Sequence, residues 1–209
     1  MKNIILFGDS ITDCRRDRDD DHIKGYGYAT LLSAYFDYNY PLTTNILNRG
    51  ISGNTTADLL DRCDKDVIDM SPDYLSILIG VNDVWRGYIN GTGLSYNQSK
   101  QAYDQLLSKL TSALKHTTIV LIEPFLLKGE ATYANWDEFY REVRLRASIT
   151  KELAQKYNLP FIPLQDKLNK VSAGLPDDYF LRDGAHPTSA GHQLIANAWL
   201  EIYNLNNSR

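Results

Sequence analysis

The chain has 209 residues, 43% of them hydrophobic and 23% charged, which suits one globular domain over residues 1–209 with a sizeable core. A net charge of −4 leaves no basic footprint for nucleic acid, and no apolar run approaches the ~18 residues of a membrane span. Met1-Lys2-Asn3 leads straight into a five-residue strand-like run, too short for the apolar part of a secretion signal, so a cytoplasmic protein is expected.

The first apolar run, residues 3–7, stops at Gly8-Asp9-Ser10. The charged stretch 15–21 follows; it lacks the glycine and distal glutamate of an EF-hand loop, reads as a solvated or interface loop, and gives no reason to expect a metal or cofactor. A helix is expected over 28–38, a second strand over 45–48, and a helix along Ala57, Leu60, Cys63, Val67 and Ile68. A third strand spans 74–79. Ala102, Tyr103, Leu106, Leu107, Leu110 and Leu114 mark the next helix, and 118–122 the fourth strand. Phe139, Tyr140, Val143, Ala147, Leu153 and Tyr157 share a helix face before the fifth strand, 160–163; Leu194, Ile195, Ala198, Trp199 and Ile202 share the last. The strands are continuous apolar runs rather than alternating ones, as required when both faces of a sheet are covered. Strand–helix alternation along the whole chain predicts an α/β fold with a parallel sheet and helices on both faces. Cys14 and Cys63 have no metal-ligand spacing and read as small buried side chains in a reducing compartment.

Ligands of open α/β sheets bind at the carboxyl ends of the strands, so the polar residues just after each apolar run carry the functional information. Those are Gly8-Asp9-Ser10, Arg49-Gly50-Ile51-Ser52-Gly53-Asn54, Gly80-Val81-Asn82-Asp83 and Glu123-Pro124. Ser10 either caps the helix that follows or is a nucleophile, and a nucleophilic serine needs a base held by a third group. Of the four histidines, His22 lies in a charged loop and His116 at a helix end. His192 falls inside the last helix without a nearby carboxylate and is the weaker alternative. His186 sits in Asp183-Gly184-Ala185-His186-Pro187; Pro187 keeps it out of helix, and Asp183, three residues earlier, can reach its other ring nitrogen. An oxyanion would find donors in the backbone N–H groups of Ser10 and Gly53 and the side-chain amide of Asn82. Asp9, Asp13 and Asp83 read as loop ties. Trp85, Arg86, Arg49 and Tyr26 are candidate substrate contacts, with Tyr28 and Tyr88 at the same predicted edge; the alternative for the aromatic residues, and the one favoured for any single one of them, is ordinary packing or subunit contact, and for the two arginines pairing with nearby acids.

Together, Gly8-Asp9-Ser10, Gly53, Gly80-Val81-Asn82-Asp83 and Asp183-Gly184-Ala185-His186-Pro187 resemble the four blocks of the GDSL, or SGNH, esterases and lipases, in order and over nearly the whole chain. The resemblance implies a flavodoxin-like three-layer α/β/α sandwich with a five-stranded parallel sheet. It also implies Ser10 as nucleophile, His186 as base, Asp183 as its orienting partner, and Ser10, Gly53 and Asn82 around the oxyanion. Ile11-Thr12 stands where the family name has leucine. The stretches 8–14, 48–55 and 79–86 look more narrowly like bacterial intracellular acetylxylan (acetylated xylooligosaccharide) esterases, which implies a small-molecule acetyl ester as substrate and a homo-oligomer. Arg182, where such enzymes carry an aromatic, is a departure that puts sugar stacking there in doubt. No long apolar insertion suggests a lipase lid. A lysophospholipase or thioesterase on the same residues, and a non-catalytic flavodoxin-like binding module, remain the alternatives.

Overall fold

The computed structural model describes residues 1–207, with side chains through residue 205. Five strands, β1 (Lys2–Gly8), β2 (Thr44–Gly50), β3 (Tyr74–Leu78), β4 (Thr118–Ile122) and β5 (Phe161–Ile162), form one all-parallel sheet in the order β2-β1-β3-β4-β5. Among the described residues the helices are α1 (Ser10–Asp13), α2 (Tyr28–Asn39), α3 (Thr56–Asp66), α4 (Val81–Asn90), α5 (Tyr96–Ala113), α6 (Trp136–Lys156), α7 (Gln165–Ser172) and α8 (Ser189–Asn207).

The strands alternate their side chains between two cores, because neighbours along a strand point to opposite faces. Ile4 and Leu6 of β1 join Leu32 and Phe36 of α2 and Ile195 and Trp199 of α8 on one side. Ile5 and Phe7 join Leu59 and Cys63 of α3, Leu106 and Leu110 of α5 and Ile149 of α6 on the other. A helical layer on each face of the sheet makes the expected three-layer α/β/α architecture. Ser76, polar and fully buried in β3, accepts the Trp199 Nε1–H at 3.1 Å and so is not left without a partner.

The strand order also fixes where a site can form. From β1 the chain crosses to β2 on one side, then returns over β1 to β3 on the other. The connections leave the carboxyl end of β1 in opposite directions and open a crevice there, the topological switch point of an open α/β sheet. Ser10 lies two residues past that end.

Three features depart from the sequence-based expectation. The segment after β3, for which no helix was expected, is helix α4, and helix α7 was not expected either. Helix α3 stops at Asp66, so Val67 and Ile68 lie in a cap and a short 3-10 turn rather than on its face.

Candidate active site

The residues after β1 fold into a single helical turn because Asp9 accepts the Ile11 N–H at 3.0 Å as its N-cap. Ser10 opens that turn. Its Oγ lies 3.0 Å from His186 Nε2, across 176 residues of sequence. His186 Nδ1 lies 2.7 Å from Asp183 Oδ2, while Asp183 Oδ1 accepts the backbone N–H groups of His186 at 2.8 Å and Ala185 at 3.0 Å. Burial pushes the Asp183 carboxyl upward, but the hydrogen bonds from the His186 ring, the His186 N–H and the Ala185 N–H outweigh it and hold the group well below the ordinary carboxylate value. An ionised Asp183 can only accept, so the proton sits on Nδ1 and Nε2 is left with its lone pair toward the Ser10 hydroxyl.

His192 does not share this geometry. Its Nδ1 accepts the Tyr28 N–H at 3.2 Å and its Nε2 lies 3.3 Å from Cys14 Sγ. Burial, then the charges of Arg182 and His186, lower its pKa to about 4. Both ring nitrogens are committed, Nδ1 to the start of α2 and Nε2 to Cys14 at the end of α1. His22 and His116 are exposed residues away from the crevice.

Gly53 is held beside Ser10 by a set of polar ties. Asp13 Oδ2 accepts the Ser52 N–H at 2.9 Å and the Ser52 hydroxyl at 2.8 Å, and Asp83 accepts the N–H and hydroxyl of Thr56, both at 2.8 Å. The Asn82 amide donates to the Asn54 carbonyl at 3.0 Å, joining the third strand end to the Gly53 loop. Gly53 has φ +84°, in the left-handed region, with open space where a Cβ would be. Gly50 is required for a different reason: a Cβ there would come within 2.1 Å of the Asp13 nitrogen. Among the described residues neither Gly53 N–H nor Ser10 N–H donates to another protein group, and both residues line the same cleft as Asn82. Asp9, Asp13 and Asp83 therefore tie loops, as the sequence suggested.

Two residues that sequence reasoning passed over keep the strand ends together. Arg62 of α3 donates to the carbonyls of Gly8 at 3.0 Å and Arg49 at 2.9 Å and to Asn54 Oδ1 at 2.7 Å, with its guanidinium 4.4 Å from the Phe7 ring centroid. Buried Asn48 reaches the carbonyls of Thr12 at 2.7 Å and Lys24 at 2.9 Å and accepts the Gly50 N–H at 2.9 Å. A polar residue at the end of an apolar strand was the available signal for Asn48; nothing local marks Arg62.

The cleft has a volume of about 900 Å³ and holds Ser10, His186, Gly53 and Asn82 with Trp85, Arg86 and Tyr26. Trp85 packs beside His186, with ring centroids 5.7 Å apart, and edge-on to Phe139 at 5.5 Å. Arg49 is not part of it. Its guanidinium is paired bidentately with Asp21 at 2.5 and 2.9 Å, which also fixes one end of the charged loop. Tyr88 packs edge-on against Phe139, and Tyr28 is fully buried with its hydroxyl on Thr12. Among the described residues, no cluster of three or more His, Cys, Asp or Glu could hold a metal, and no helix is long and apolar enough to cross a membrane.

Comparison with known proteins places this geometry in a family. The profile of the GDSL-like Lipase/Acylhydrolase family matches residues 6–194. An acetylxylan esterase of Geobacillus stearothermophilus is 34% identical over 95% of this chain and 92% of its own. Its crystal structure superposes with a TM-score of 0.85, at 32% identity over 96% of this chain and 93% of that one. Structures of catalytic mutants of that enzyme replace a serine, an aspartate and, three residues beyond the aspartate, a histidine by alanine. A further mutant replaces a tryptophan immediately before that aspartate. An alpha/beta hydrolase enzyme from the metagenome of Lake Arreo, Spain, also superposes with a TM-score of 0.85, at 27% identity over 96% of this chain and 94% of that one. The chain belongs to the GDSL-like lipase/acylhydrolase family and is a carboxylic ester hydrolase.

Proposed function

We propose that the protein removes acetyl groups from small acetylated carbohydrates such as xylooligosaccharides, with Ser10 as nucleophile, His186 as general base and Asp183 as its orienting carboxylate. The observation that carries the reading is the unbroken chain Ser10 Oγ–His186 Nε2 at 3.0 Å and His186 Nδ1–Asp183 Oδ2 at 2.7 Å, facing free backbone donors across one cleft. The Asp–x–x–His spacing equals that of the residues mutated in the catalytic variants of the Geobacillus esterase, and the likeness to that acetylxylan esterase over most of both chains supports the acetyl-carbohydrate substrate.

In the first half-reaction, Ser10 Oγ attacks the ester carbonyl as its proton passes to His186 Nε2. Negative charge grows on the carbonyl oxygen and is met by the N–H groups of Ser10 and Gly53 and by the Asn82 amide, donors fixed in place before the reaction begins. The new imidazolium is stabilised by ionised Asp183 and returns its proton to the departing alcohol oxygen. Water then attacks the acetyl-Ser10 carbonyl; His186 takes its proton and returns it to Ser10 Oγ as the acyl–oxygen bond breaks and acetate leaves. The network of Asp9, Asp13, Asp83, Asn48 and Arg62 holds the donors without touching the reacting atoms.

The test is release of acetate from acetylated xylooligosaccharides, measured beside p-nitrophenyl esters of increasing acyl length. Acetate release from the sugar and a steep fall in kcat/KM beyond short acyl chains are expected. Preference for octanoyl esters or thioesters over acetyl esters would replace this reading with the lysophospholipase or thioesterase alternative.

A further inference from the structure

The cleft around Ser10 is charged in a way the proposed deacetylation does not use. Three arginines line it from three separate elements: Arg15 after α1, Arg86 on α4 and Arg182 in the loop that carries Asp183 and His186. Among the described residues no aspartate or glutamate lines it. A chain with net charge −4 thus presents a cationic wall at its catalytic serine.

The arginines differ in how far they are committed elsewhere. Arg86 lies 3.2 Å from Asp58, whose carboxylate also serves the cap of α3, so its charge is partly offset. The Arg182 guanidinium makes no hydrogen bond; its Nε is 3.8 Å from Asp183 Oδ2, and its side chain is 64% exposed. Arg15 alone among the described arginines has neither an ion pair nor a hydrogen bond from its side chain. Its neighbours turn away to Gly50 and Asp13: Arg16 Nε donates to the Gly50 carbonyl at 2.8 Å, and Arg18 lies 3.5 Å from Asp13. The difference is built into the backbone. Cys14 and Arg15 both adopt positive φ, 40° and 62°, and the turn is pinned by Tyr26 N–H on the Cys14 carbonyl at 2.9 Å and Arg16 N–H on the Asp13 carbonyl at 2.8 Å. That arrangement sets Arg15 at the cleft and Arg16 behind it. Arg15 and Arg182 both line the cleft, together with Cys14.

We propose that Arg15 and Arg182, with Arg86, form a carboxylate-binding subsite beside the catalytic serine, so that the preferred substrates are acetylated oligosaccharides carrying an acidic sugar. The proposal deepens the deacetylase reading and rests on it for the sugar. Guanidinium groups match carboxylates bidentately; Arg15 has no ion pair or hydrogen bond of its own among the described residues, and Arg182 has only its 3.8 Å contact with Asp183, so both can turn to an anion in the cleft. The cleft, about 900 Å³, has far more room than an acetyl group needs, and Trp85 and Tyr26 offer ring faces to the sugar that carries the acid. The Geobacillus enzyme has a tryptophan in the position before its aspartate, where this chain has Arg182, so the exchange swaps an aromatic surface for a charge at the same place in the catalytic loop.

The experiment compares kcat/KM for an acetylated xylotetraose and for the same acetylated oligosaccharide bearing a glucuronic acid branch, in the wild type and in Arg15→Gln/Arg182→Gln. Each is measured at low and at high salt. The branched substrate is expected to be favoured roughly tenfold at low salt, equivalent to about 1.4 kcal/mol. That preference should shrink as salt screens the charges, and should fall to near unity in the double variant. Equal or lower kcat/KM for the acidic substrate in the wild type, or a preference that survives in the double variant, would overturn the subsite while leaving the deacetylase reading intact. Should neither sugar be deacetylated, the deacetylase reading fails, and aryl acetates decide the charge reading alone. There, 4-acetoxybenzoate should gain over phenyl acetate in the wild type relative to the double variant; an unchanged ratio would overturn the proposal. If the double variant does not fold, each single arginine variant is expected to lose part of the preference, and no loss in either would refute it.

Discussion

Replacing Asp183 by asparagine tests the orientation of the base with almost no change in shape. Asp183 accepts three hydrogen bonds: Oδ1 takes the N–H groups of His186 and Ala185, and Oδ2 takes His186 Nδ1–H. An asparagine has one oxygen to offer. Placed toward the imidazole, that oxygen would leave its NH2 facing two backbone N–H donors, an arrangement with no acceptor at all. The oxygen must therefore remain on the two backbone donors, and the NH2 turns to Nδ1. Nδ1 then becomes the acceptor, the ring proton moves to Nε2, and His186 donates to Ser10 instead of taking its proton. A base locked in the wrong tautomer costs about 10⁴-fold in kcat, or about 5.4 kcal/mol of barrier. Because both backbone donors stay satisfied, the melting temperature should hardly change. Asp183→Ala should lower it more, since His186 N–H and Ala185 N–H lose their acceptor at about 1–3 kcal/mol for a buried group, less here where the site is half-exposed. Steady-state kinetics on p-nitrophenyl acetate with thermal denaturation of both variants reads the two effects. A kcat for Asp183→Asn within tenfold of the wild type would refute the tautomer argument.

Other perturbations follow from the same geometry. Asn82→Ala removes a proposed oxyanion donor and should lower kcat by about 10²–10³-fold with KM little changed, whereas a raised KM at unaltered kcat would assign Asn82 to ground-state binding. Burial pushes the Asp9 carboxyl up to about 7 against the Ile11 N–H bond and the His186 charge, which lower it. Folded Asp9 therefore binds more protons than unfolded Asp9 between about 3.8 and 7, and its contribution to stability falls as pH rises through that window. Asp9→Asn, which does not titrate, should gain on the wild type in denaturant stability from pH 4 to pH 8, up to a ceiling of about 4 kcal/mol; a pH-independent difference would contradict this. Gly50→Ala drives a Cβ into the Asp13 nitrogen and should cost about 1–3 kcal/mol of stability, read from the same denaturation curves.

Much of this architecture could be read from the sequence because the parallel strands are buried on both faces and so appear as unbroken apolar runs. β5 was read as a strand although only Phe161 and Ile162 pair, since Pro160 and Pro163 confine it. α4 escaped notice because it begins inside the block that carries Asn82: Gly80 caps it without any side-chain hydrogen bond, and Gly87 interrupts its interior. α7 has eight residues and too few turns to establish a period. Within the site, Ser10, Gly53 and Asn82 stood out because small and polar residues follow apolar runs at one end of the sheet, and His186 and Asp183 because one histidine of the four sits in a Pro-held loop with an aspartate three residues before it. Arg49 shows the limit of that rule. It follows β2 like the others, yet its partner Asp21 lies 28 residues away in a charged loop, and only the folded chain decides that it faces there rather than the cleft. Arg62 is the converse: an ordinary helix-surface arginine by sequence, it bridges Gly8, Arg49 and Asn54 because the fold brings their carbonyl and amide oxygens together.

The central claim is that Ser10 carries the acyl group, and covalent labelling tests it most directly. Wild type and Ser10→Ala are treated with a fluorophosphonate, and intact mass, peptide mapping and residual esterase activity are followed together. One adduct on Ser10, activity lost in step with labelling, and a folded Ser10→Ala protein that neither labels nor hydrolyses esters are the predicted results. An adduct on another residue, or near wild-type ester hydrolysis by Ser10→Ala, would contradict the account.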